Sequence, residues 1–182
     1  MRNVASVSEN ASMREPSSPV FAIRPVSEAE HAVLGDMIVS AYLKDGFLRG
    51  ADDPYAAFLR DVGSRVVGGA EVLVAADGDR VLGGVTLVPP GSPLAELAGA
   101  GEAEIRALAV DPAGRTRGVG TALATACVER ARRAEAKRVV LCSQREMKAA
   151  HRIYERLGFE RAPRLDWRPL PDVLLWGYAL EL

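Results

Sequence analysis

The chain has two cysteines and two histidines in 182 residues, and aromatic residues make up only 5% of it. Cys127 and Cys142 lie in apolar periodic segments, and their spacing matches no metal motif. They read as small buried hydrophobes of a reducing compartment, so a cytoplasmic location is expected. His31 and His151 stand alone on helical segments and read as surface residues. No cluster of ligating side chains calls for a metal. No uncharged run reaches the length of a membrane span without Gly or Pro interrupting it, and no N-terminal apolar run resembles a secretory signal. A membrane partner is therefore not expected. The net charge of −1 leaves no basic excess for a general nucleic-acid binder.

What is present fits one ordinary globular domain: 48% hydrophobic and 26% charged residues over a length that can enclose a core. Charge is unevenly distributed. Residues 102–161 carry 13 basic and 8 acidic side chains, whereas the remainder carries 10 basic and 16 acidic. A basic half suits a polyanionic ligand and an acidic half a cationic one, although scattered helix-surface charges would produce the same asymmetry. Residues 1–19 are rich in Ser, Asn, Glu and Pro and read as a disordered leader, leaving 20–182 as the domain.

Periodicity and punctuation give the order β-α-α-β-β-β-α-β-α-β-β. A short strand at Val20–Arg24 precedes Ser27 and Glu30, a capping-box pair. A helix follows through Tyr42, and Pro54 opens a second helix that runs through Val62. Glu71–Ala76 and Val81–Val88 form a hairpin around Asp77-Gly78-Asp79. The connection from Pro89 is expected to hold one helical turn near Leu94–Leu97. Ala103–Val110, a helix from Gly120 to about Ala134, and Arg138–Cys142 form a βαβ unit. A helix over Lys148–Leu157, with Gly158 as its C-cap, leads to strands at Phe159–Ala162 and Leu174–Leu180. Meanders followed by one βαβ unit predict an α/β fold with a mixed, mostly antiparallel sheet and helices on both faces.

The richest segment is Val110-Asp-Pro-Ala-Gly-Arg115-Thr-Arg117-Gly118-Val119-Gly120-Thr121, which ends a strand, turns and opens a helix. Unpaired N–H groups and the helix dipole make such a turn an anion site. Its glycines let the backbone approach a phosphate, and Arg115 and Arg117 add charge. A purely structural strand–helix connection is the alternative. A P-loop or Rossmann reading fails, because it requires a longer or lysine-bearing glycine pattern within repeated βαβ units.

Three blocks in order carry a resemblance: Glu104-Ile-Arg-Ala-Leu108-Ala-Val110-Asp-Pro112, Arg115-x-x-Gly118-x-Gly120, and Ala150-x-x-x-Tyr154-x-x-x-Gly158-Phe159. From about Val20 to Leu182 the chain resembles the GCN5-related N-acetyltransferase (GNAT) superfamily. The resemblance implies acetyl-CoA as acyl donor and a primary amine, on a small molecule or peptide, as acceptor. It implies direct transfer in a ternary complex, with neither cysteine acylated. Arg115, Thr116, Arg117, Gly118, Val119, Gly120 and Thr121 would hold the pyrophosphate. Leu108, Ala109 and Val110 would pair with the pantetheine arm, because the matching family strand is bulged and splays from its parallel neighbour. The Leu108 N–H would meet the developing oxyanion. Glu104 matches the general base of the histone-acetylating branch, and Tyr154 the usual general acid. Met147 stands where many members carry a cofactor-contacting Asn. Lys148, Arg145 and Arg152 are then alternatives for further phosphate contacts.

Each site residue also has a structural alternative. Glu104 suits a solvated strand position or one paired with Arg106, and Tyr154 belongs to the core-facing stripe of Ala150, Ile153 and Leu157. Tyr42, Phe47, Asp52 and Tyr55, with Trp167 from the C-terminal region, mark the expected acceptor pocket, where aromatics and carboxylates suit a cationic amine. Asp53 instead reads as the cap of the helix opened by Pro54. Edge strands near the C-terminus suit a homodimer. A non-catalytic acyl-CoA sensor is the rival functional reading.

Overall fold

In a computed structural model, residues 21–50 and 52–182 are described; the expected leader lies outside them. Among the described residues, eight strands form one sheet: β1 (Ala22–Pro25), β2 (Glu71–Asp77), β3 (Arg80–Val88), β4 (Glu102–Val110), β5 (Arg138–Gln144), β6 (Glu160–Arg161), β7 (Trp167–Leu170) and β8 (Val173–Glu181). Their order is β1-β2-β3-β4-β5-β8-β6, with β7 pairing onto β8. Every pairing is antiparallel except β4 with β5. The sheet is thus the mixed, mostly antiparallel one expected, with one parallel pair.

Helices cover both faces because the strands alternate. Val72 and Val74 of β2 pack with Leu34, Ile38 and Leu59 of α1 (His31–Lys44) and α2 (Pro54–Arg60). Leu73 and Ala75 pack on the other face with Val119, Leu123 and Cys127 of α4 (Val119–Arg133). α5 (Lys148–Arg156) joins that second core through Tyr154, which meets Phe159 and Tyr178. Phe159 lies just beyond the helix, and its N–H reaches back to the Tyr154 carbonyl at 3.0 Å, as a C-terminal cap built on Gly158 requires.

Three local expectations are corrected. The helix opened by Pro54 stops at Arg60 and restarts as α3 (Val62–Val67). Asp61 leaves the helical region at ψ 72°, and its carboxylate accepts the Ser64 N–H at 3.0 Å. Residues 94–97 form no helical turn: Leu94 lies in a turn closed by the Ala95 N–H on the Ser92 carbonyl at 3.2 Å, and Glu96 and Leu97 form a bend. The segment around Trp167, between the two strands expected at Phe159–Ala162 and Leu174–Leu180, contains a further strand, β7, whose Trp167 pairs with Leu175.

The break at Asp61 gives a test. Asp61→Ala removes an N-cap and lowers the midpoint of chemical denaturation. In one continuous helix, the same change would raise stability, because Ala has the better helix propensity.

Candidate functional site

The parallel pair comes apart. β4 and β5 are in register only from Glu102↔Arg138 to Ile105↔Leu141, although β4 continues to Val110 and β5 to Gln144. On its other edge β4 is bulged: Gly84 opposes Ala109 and Thr86 opposes Arg106, so β4 carries one extra residue. Ala107 absorbs the bulge at φ 53°. Neither Ala107 nor Leu108 has a ladder partner on β3 or β5. Ladder pairing is interrupted at these two residues, and a bulge of this kind makes backbone available to another partner.

A cleft of about 750 Å³ enters at this split. Leu108, Ala109 and Val110 line it, followed by Arg115, Thr116, Gly118, Val119, Gly120 and Thr121. At the helix opening, no backbone acceptor bonds the N–H of Val119, Gly120 or Thr121 among the described residues. Gly118 holds φ 80°, which a side chain would strain. A Cβ on Gly120 would lie 2.9 Å from Ile153 Cδ1 and 3.4 Å from Val110 Cγ2. Hydrogen at that position therefore lets α5 and β4 close around the helix start. Asp111 shapes the approach by accepting the Ala113 N–H at 2.9 Å. Convergent free donors at a positive helix end suit a phosphate or pyrophosphate.

The two turn arginines separate. Arg115 lines the cleft, and its Nη2 meets both Asp45 oxygens at 3.0 and 2.7 Å. Arg117 does not line the cleft, and its side chain turns to Asp77 at 3.0 Å.

Glu104 is 1% exposed on β4. Its Oε2 accepts the N–H groups of Glu96, Leu97 and Ala98 at 2.9, 2.9 and 3.2 Å. Arg106 completes the arrangement: Nη1 donates to the Leu94 carbonyl at 3.2 Å and Nη2 pairs with Glu96 at 2.7 Å. Its guanidinium lies 4.4 Å over the Phe58 ring, and its Nε is 3.6 Å from Glu104. Glu104 therefore holds the 94–98 loop and is not among the residues lining the cleft. The pairing with Arg106 was legible in sequence; the loop amides were not.

Tyr154 is 5% exposed and sits behind Ala150 and Ile153, which do line the cleft. Burial raises its pKa well above the ordinary tyrosine value, with Cys142 of β5 adding to the effect. Tyr42, which lines the cleft from α1, is likewise pushed well above the ordinary tyrosine value by burial. Its hydroxyl makes no hydrogen bond among the described residues.

On the expected acceptor side, Tyr42 and Phe47 line the cleft and meet edge to face at 6.2 Å. Asp52, Tyr55 and Trp167 do not line it. Asp52 is exposed, Tyr55 stacks on Phe58 at 5.4 Å, and the Trp167 indole N–H donates to Cys142 Sγ at 3.4 Å. Asp53 caps α2 by accepting the Tyr55 N–H at 2.9 Å. Met147 lines the cleft, and its Sδ accepts the Ser143 hydroxyl at 3.3 Å. Gln144, which the sequence did not single out, ties the end of β5 to the Phe47 carbonyl at 3.0 Å. His151 is 4% exposed, not on the surface: it stacks on Trp176 at 5.8 Å, with Nε2 3.1 Å from the Gln144 carbonyl. Burial, then the nearby Lys148 charge, lowers its pKa.

The loop anchor is testable by hydrogen exchange. Glu104→Ala leaves three amides without their acceptor, lowering stability by about 3 kcal/mol and speeding exchange at residues 96–98 above all others. Unchanged exchange at those amides would contradict the anchoring.

Comparison with known proteins bears on what this cleft is for. The family model "Acetyltransferase (GNAT) family" matches residues 35–159. No curated protein matches. The fold is similar to yncA of Salmonella typhimurium, solved with its cofactor acetyl-CoA: 21% identity, 90% of this chain and 94% of that one, TM-score 0.68. It is similar to a GNAT-family acetyltransferase of Staphylococcus aureus MU50, at 16% identity, 89% and 99% coverage and TM-score 0.72. The ribosomal-protein-alanine N-acetyltransferase of Brucella melitensis gives 19%, 88% and 99%, and 0.68. With the matched model spanning the split strands and the glycine turn, this chain belongs to the GNAT acetyltransferase family.

Proposed function

We propose that the protein is an acetyl-CoA-dependent N-acetyltransferase that passes the acetyl group directly to a primary amine of a small molecule or peptide. The observation that carries this reading is the continuity of one cleft. It runs from the free amides of Val119–Thr121 to the unpartnered backbone of Leu108, and so joins an anion cradle to a place for an amide-rich arm. The acyl donor spans the two, with its pyrophosphate on the cradle and its pantetheine along Leu108–Val110 in the manner of an added strand. Arg115 lies beside the cradle, whereas the Arg117 side chain turns away from it to Asp77.

The neutral amine attacks the thioester carbonyl. A C–N bond forms, the C–S bond breaks, and the Leu108 N–H supports the negative oxygen between the two events. Tyr154, whose burial keeps its hydroxyl protonated, supports the departing sulfur by hydrogen bonding, and the proton that the amine gives up ends on that sulfur as the free thiol. The amine proton leaves through water in the split, because Glu104 Oε2 is filled by three amides. Tyr42 and Phe47 form the acceptor wall nearest the cleft. That same filling of Glu104 is what favours the second reading, a non-catalytic sensor of acyl-CoA.

Thermal melting and thiol release separate these readings. Acetyl-CoA at a hundredfold excess over Kd stabilises the fold by about 2.7 kcal/mol, and no shift at millimolar ligand would contradict donor binding. Gly120→Glu abolishes that shift. Free thiol released with any of a panel of amines supports the enzyme, and binding without release supports the sensor. Tyr154→Phe leaves acetyl-CoA affinity unchanged and slows turnover by about 10²-fold or more; full activity would remove Tyr154 from the mechanism.

A further inference from the structure

The cleft carries more charge than the cradle accounts for. Four cationic side chains line it, Arg115, Lys148, Arg152 and Arg156, against two carboxylates, Asp45 and Glu146. Both carboxylates are occupied: Asp45 by Arg115, and Glu146 by Arg145 at 3.3 Å. Lys148 places its Nζ 5.0 Å over the Trp176 ring. Among the described residues, Arg152 and Arg156 have no carboxylate within ion-pair distance. The Arg156 Nε donates to the Arg152 carbonyl at 3.0 Å, which steadies the Arg156 stem and leaves its terminal nitrogens available. Like charges four residues apart on a helix repel. An anion between them would relieve that repulsion.

Their position names the anion. Ile153, between them in sequence, is the side chain that closes on Gly120 at the cradle. The cationic edge of α5 therefore borders the place assigned to the pyrophosphate. In CoA, the ribose whose 5′-oxygen carries the pyrophosphate also carries a 3′-phosphate, a second dianion a few bonds away. We propose that Arg152 and Arg156 form a subsite for this 3′-phosphate, so that the protein selects CoA thioesters over their 3′-dephospho counterparts. The proposal rests on the acetyl-CoA reading of the cleft and adds a specificity device to it. Two guanidinium forks suit a phosphate monoester, which offers three oxygens to them.

Isothermal titration of CoA and of 3′-dephospho-CoA into the wild type and an Arg152→Gln/Arg156→Gln variant tests it. The wild type binds CoA about tenfold more tightly than 3′-dephospho-CoA, and the gap narrows with added salt. The variant binds both at the wild-type affinity for 3′-dephospho-CoA. Both arginines are exposed, so its melting temperature stays near that of the wild type. Equal wild-type affinity for the two ligands overturns the subsite, as does a variant that loses affinity for both equally. A wild type that binds neither overturns the donor reading and the subsite with it.

Discussion

The site depends on the parting of β4 from β5 beyond Ile105 and Leu141. A parallel pair that stayed zipped to its end would leave no cleft and no free backbone. The bulge at Ala107 lies where β4 parts from β5, while both halves of β4 stay paired with β3. Ala suits that position: φ 53° is strained for any side chain, and a branched one would suffer most. The strain is offset by the packing of Ala107 and Ala109 on the α1 face and of Ile105 on the α4 face.

Other features gather around this opening. The turn after β4 brings the start of α4 to one end of the cleft, and Gly120 lets α5 close beside it. The end of α1 closes the opposite wall through two ties, Asp45 to Arg115 and Phe47 to Gln144. The 94–98 loop is fixed by Glu104 and Arg106, with Phe58 of α2 beneath the guanidinium. An acidic side chain on β4 thus serves the loop between β3 and β4, and the cleft is built mainly from backbone donors and apolar walls.

Much of this was legible in the sequence because it follows from local rules. Strand alternation, the Ser27 and Glu30 cap, the Gly158 cap and the Arg115–Thr121 turn each depend on residues close together in the chain. What escaped depends on distant partners. Nothing near Glu104 in sequence announces that the amides of 96–98 converge on it. Arg115 and Arg117 look equivalent, yet one meets Asp45 and the other Asp77. His151 looked solvated until β8 supplied Trp176 and Tyr178 to cover it. Asp61 broke a helix whose apolar spacing continued across it, because a cap won over periodicity.

The proposed function requires one ligand to engage both ends of the cleft at once, and amide NMR during titration with acetyl-CoA reads this out. The N–H resonances of Gly118, Gly120 and Thr121 and that of Leu108 then shift together and saturate on one binding curve. Shifts confined to one end, or two curves with different midpoints, would contradict it.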